Sequence, residues 1–71
     1  MIKKELLSKE FTCWYEITNE NYERIYGKKQ LRVRSTSLSD ATDHFHDIVS
    51  DRMSVVDGAD DYFITEICEV Q

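Results

Sequence analysis

Apolar residues recur at clear helical spacing in one stretch of this chain. Between Ser37 and Met53, Leu38, Ala41, Phe45, Ile48, Val49 and Met53 follow one another at steps that keep to a single side of a helix. Asp40, Asp43, Asp47 and Asp51 fall largely outside that stripe and give the helix an acidic solvent side. Ser37, with Asp40 three residues later, reads as a capped start, and the carboxylate also suits the positive end of the helix dipole. The helix is expected to run on into Ser54–Val56 until Asp57-Gly58 ends it.

Elsewhere the pattern has period two. From Glu10 to Thr18, Phe11, Cys13, Tyr15 and Ile17 alternate with Thr12, Trp14, Glu16 and Thr18, which predicts a strand with one core face. Trp14 is the awkward residue, because it lands on the supposedly exposed face. Gln30 to Ser35 predicts a second strand, with Leu31 and Val33 inward and Arg32 and Arg34 outward. Residues 19–29 connect the two, either as helical turns closed by Gly27 or as a wide hairpin loop. Tyr62 to Val70 predicts a third strand. Tyr62, Ile64, Cys68 and Val70 share one face and Phe63, Thr65 and Ile67 the other; both faces are partly apolar, which suggests either a bulge near Thr65–Glu66 or a second face that is covered too. Residues 1–9 are expected to dock in part, as a helical turn or as an extension of the first strand.

The order is β-β-α-β. A right-handed crossover makes the third strand parallel to the second, and the richest strand takes the centre in a sheet of order 2-1-3. The expected fold is a small single α+β domain over residues 1–71, a three-stranded mostly antiparallel sheet with one helix on one face. That helix should cover Phe11, Tyr15, Ile17, Leu31, Val33 and Ile64.

Size bounds what such a domain can do. Seventy-one residues bury only roughly 60% of their unfolded surface, and the core has little room for a deep catalytic pocket. The charged N-terminus lacks a long apolar run, so neither a signal peptide nor a membrane span is expected, and a cytoplasmic location follows. Cys13 and Cys68 are too few for a disulfide framework and read as small hydrophobes.

The residues that can carry chemistry do not converge in sequence. On a helix, His44 and His46 point about 200° apart and cannot chelate together. His44 with Asp40 and Asp47 would make only an open, weak metal arrangement. Ser35, Ser37, Ser39, Ser50 and Ser54 cluster where capping and solvation account for them. With two glycines in the chain there is no phosphate loop. No catalytic residue, metal or cofactor is expected.

Charge adds a lead. Residues 1–37 carry eight Lys/Arg and five Glu, a net of +3, whereas residues 38–71 carry Arg52 against nine acids, a net of −8; the whole is −5. Asp40, Asp43, Asp47 and Asp51, continued by Asp57, Asp60 and Asp61, form a candidate acidic partner-binding face. Such a row can imitate nucleic-acid phosphates or merely confer solubility. Trp14, Arg32, Arg34, Phe63 and Ile67 form a second candidate surface on the open sheet face. It suits a protein contact or a homodimer, and alternatively a single-stranded nucleic acid stacked on Trp14, a reading that the overall acidity weakens. In a third arrangement Trp14 simply packs under the N-terminal segment.

In its size, acidity and Lys/Glu/Asn/Tyr-rich make-up the chain resembles the small accessory proteins that bacteriophages encode to bind and redirect host machinery. The resemblance is one of style and rests on no motif. It implies a non-enzymatic inhibitor or modulator of a larger host protein, with a protein partner and no membrane.

Overall fold

A computed structural model describes residues 8–70. The expected docking of residues 1–7 lies outside the described residues. Three strands and one helix follow in the order β1 (Lys9–Thr18), β2 (Arg24–Ser35), α1 (Leu38–Met53) and β3 (Asp61–Glu69). The sheet order is β2-β1-β3, and β1 is antiparallel to both neighbours. The edge strands therefore run parallel to each other, as a crossover carrying α1 requires.

β1 takes the centre because its alternation is the most apolar. Phe11, Cys13, Tyr15 and Ile17 are buried beneath α1. Ala41, Phe45 and Val49 answer them from the helix, in two adjoining clusters. Phe11, Cys13, Ala41 and Phe45 pack with Leu31, Val33, Ile64 and Ile67. Tyr15, Ile17 and Val49 pack with residues that include Tyr26, Met53, Val56 and Tyr62. Leu38, in the helical stripe by spacing, remains 54% exposed.

β2 begins six residues earlier than the alternation from Gln30 predicts. Asn19 makes helical turns unnecessary there. Its side-chain oxygen accepts from the backbone N–H of Asn21 at 2.9 Å and of Glu23 at 3.0 Å, and its amide donates to Glu23 Oε1 at 2.9 Å. The reversal is thus closed at Glu23, with Tyr22 in the left-handed region at φ 64°. Gly27 is no helix cap; it lies in β2 where the register shifts between the Tyr15–Lys29 and Ile17–Tyr26 pairs.

α1 starts as expected, with Ser37 accepting from the Asp40 backbone N–H at 3.1 Å. It ends at Met53 instead of continuing into Val56. Ser54, Val55 and Val56 donate to Asp51, Arg52 and Met53, bonds that tighten the chain beyond the last α-helical turn. Gly58, at φ +83°, then completes the turn in which Ala59 donates to Val56.

The bulge predicted in β3 is present and has a larger effect than the alternation suggested. Trp14 pairs with Thr65 but Thr12 pairs with Cys68, so Glu66 and Ile67 together oppose Cys13. Glu66 takes up the extra residue at φ 52°. Beyond it the two faces exchange. Ile67 turns inward onto the core, whereas Cys68 and Val70, expected inside, are exposed.

Candidate functional site

α1 places its four aspartates in one stripe. At about 100° per residue, Asp40, Asp43, Asp47 and Asp51 fall within an arc of about 80°, centred about 150° from the buried Ala41–Phe45–Val49 side. Along the axis they are spaced by about 4.5, 6 and 6 Å. All four are exposed. Asp40 is engaged at the N-terminal end, accepting from the Ser35 hydroxyl and lying 3.5 Å from His44 Nε2. Asp43, Asp47 and Asp51 have no Lys or Arg partner among the described residues, where the ion pairs are Arg32–Glu10 and His44–Asp40.

The other predicted acids do not extend this stripe along the helix. Asp57 lies in the turn after α1. Asp60 donates its backbone N–H to Thr18, and the Asp61 carboxylate accepts from the Tyr62 N–H at 2.8 Å. Both are fixed to the end of the sheet.

On the open sheet face, Trp14 sits half-buried at the middle of β1, between Gln30 on β2 and Thr65 on β3. Arg32 and Arg34 lie one and two rungs away, opposite Thr12 and Glu10. Arg32 is held by Glu10 at 2.8 Å, so its charge is already partly answered. Phe63, 45% exposed, is diagonal to Trp14, opposite Glu16. Ile67 does not belong to this surface, because the bulge turns it into the core. Four of the five predicted residues therefore share the face, and Val70 joins them from the strand end, its N–H bonded to Glu10.

The histidines separate as helical geometry requires. His44 lies beside Asp40, whereas His46 Nδ1 meets the Tyr62 hydroxyl at 2.9 Å on β3. The tautomer decides which of that pair donates.

One cluster escaped sequence reasoning. The Arg52 guanidinium donates to the Tyr15 hydroxyl at 3.2 Å, and the Tyr15 and Tyr26 rings lie 6.1 Å apart. Lys29 Nζ stands 5.5 Å from the Tyr26 ring centre. Burial raises the Tyr15 pKa, while hydrogen bonding from Arg52 lowers that of Tyr26. Beside them Tyr26, Asp47, Ile48, Asp51, Arg52, Val55 and Val56 line an open groove of about 970 Å³. The signal available in sequence was Arg52, the lone cation of an acidic half, which pointed to no partner without the fold.

The described residues form a small two-layer α+β domain with no helix packed on its second sheet face and with Asp43, Asp47 and Asp51 lacking a Lys or Arg partner among them. Among the described residues no helix is long and apolar enough to cross a membrane. No known protein family, no curated protein and no solved structure matches the chain.

Proposed function

We propose that this protein is a non-catalytic interaction module that docks the aspartate stripe of α1 on a cationic surface of a larger protein. The observation that carries the reading is the row Asp43, Asp47 and Asp51, opposite the buried side of the helix and without a Lys or Arg partner among the described residues. Asp43–Asp47 and Asp47–Asp51 are like-charge pairs four residues apart, each destabilising an isolated helix by about 0.2–0.5 kcal/mol. Asp is also a poor helix former. A domain this small thus carries a charge arrangement that weakens it alone, and a cationic partner relieves that repulsion. Proteins that grip nucleic-acid phosphates offer such a surface, and occupying it would inhibit or modulate them.

The test is affinity capture from the native host's lysate with the wild type and with D43K/D47K/D51K. Mass spectrometry should identify a basic protein that the wild type retains and the triple variant loses, in a salt-dependent manner. Circular dichroism checks that the variant is folded. Equal capture by both proteins would remove the helix face from the interaction.

A further inference from the structure

Among the described residues the sheet has two unpaired edges, and they differ. β2 pairs with β1 without interruption from Lys9–Ser35 to Tyr15–Lys29, so its outer edge over Lys29–Ser35 is regular. That stretch spans about 23 Å. The outer edge of β3 is broken at Glu66, a distortion that discourages strand addition. Charge differs as well. β2 carries Arg24, Lys28, Lys29, Arg32 and Arg34 with no acid, while β3 carries Asp61, Glu66 and Glu69 with no base.

The groove described above lies at one end of the β2 edge. Its lining comes from β2, α1 and the turn after α1, with no residue of β1 or β3. It therefore sits at the outer margin of the sheet, where α1 overhangs the edge strand. Its apolar lining includes the half-buried Ile48 and Val55, which is 81% exposed, beside the charged Asp47, Asp51 and Arg52. Leu31 and Val33, on the helix side of β2, are likewise only half-buried.

We propose that the β2 edge accepts an extended segment of a partner protein as a fourth strand, apolar toward α1 and acidic toward the open face. Main-chain bonds to Lys29–Ser35 hold it, as in other strand additions. Its helix-side residues cover Leu31 and Val33, with an anchor side chain in the groove at Tyr26 and Val55. Its acidic residues meet Arg34 and Arg32. Pairing with β2 of a second copy would set five cations against five, and β3 of a second copy presents a bulge, so neither is as good an occupant. The groove shares Asp47 and Asp51 with the aspartate stripe, but the β2 edge over Lys29–Ser35 does not, and strand addition there goes beyond the function proposed above.

The test uses a capped peptide of four Glu-Val repeats titrated into the ¹⁵N-labelled protein. Saturable shifts are expected at Tyr26, Lys29–Ser35 and Val55, with affinity at least tenfold above that of the matching Lys-Val peptide. R34E and V55D, both at exposed positions, should each weaken it at least fivefold. In an added strand, either all the Glu amides or all the Val amides face β2. Of two peptides N-methylated on one set or the other, one should therefore lose binding at least tenfold and the other keep it. Any other methylation pattern, absence of saturable binding, or shifts centred off β2 would overturn the proposal. Displacement of the peptide by oligothymidylate would reassign the edge to nucleic acid, and self-association in sedimentation without peptide would reassign it to a second copy.

Discussion

At the scale of single residues the two thiols diverge. Cys13 is fully buried in the central strand, and burial raises its pKa from 9.0 to about 11. Cys68 is exposed on the open face, 3.5 Å from the Thr12 hydroxyl. In native protein a disulfide-exchange reagent should titrate one thiol per chain promptly, and the second only on unfolding; prompt reaction of both would contradict the packing around Cys13. The same burial makes stability pH-dependent. Between about pH 9 and 11 the unfolded Cys13 loses its proton while the folded one keeps it, so stability falls as pH rises through that window. The loss approaches about 2–3 kcal/mol at the alkaline end. Urea midpoints at pH 8 and 10.5 should show a smaller fall in Cys13→Ala than in the wild type.

At the scale of elements, legibility followed the regularity of the backbone. α1 was readable because Ala41, Phe45 and Val49 hold one spacing throughout and Ser37 marks the start. β3 was readable only as far as Thr65. One left-handed residue, Glu66, reverses the alternation, so strict period two puts Ile67 on the open face and Cys68 in the core, the opposite of where they lie. The start of β2 was obscured because Gly27 resembles a helix terminator, while the side chain that closes the reversal belongs to Asn19. Of the candidate site, the aspartate spacing was legible, whereas the Tyr15–Tyr26–Arg52 cluster needs three elements brought together. Two substitutions test these elements. Asp47→Lys converts two like-charge pairs into attractive ones and should stabilise the protein by about 0.5–1 kcal/mol, read as a Tm a few degrees higher. Glu66→Gly removes a side chain from a left-handed position and should stabilise by about 1 kcal/mol in urea titrations. A loss of stability would mean that the Glu66 side chain supports the bulge.

At the scale of the whole molecule, α1 covers one side of the β2-β1-β3 sheet, and the core of the described residues depends on few side chains. Phe45→Ala should cost about 3–5 kcal/mol, enough to leave a domain of this size largely unfolded; a cooperative thermal transition retained near the wild-type Tm would contradict the assigned core. The central strand is also the first of the three in sequence. β2 reaches it through a reversal of a few residues, but β3 pairs Asp61 with Thr18 and Glu69 with Phe11, contacts that close most of the chain into a loop. Folding should therefore begin with the β1–β2 hairpin and be limited by the arrival of β3, whose long closure is entropically the slowest step. Substitutions at the β1–β2 interface, such as Val33→Ala, should slow refolding, whereas Ile64→Ala should chiefly speed unfolding. A nascent chain that has emerged only as far as α1 would present one flank of its central strand unpaired, and that interval is when this protein is most exposed to misassociation.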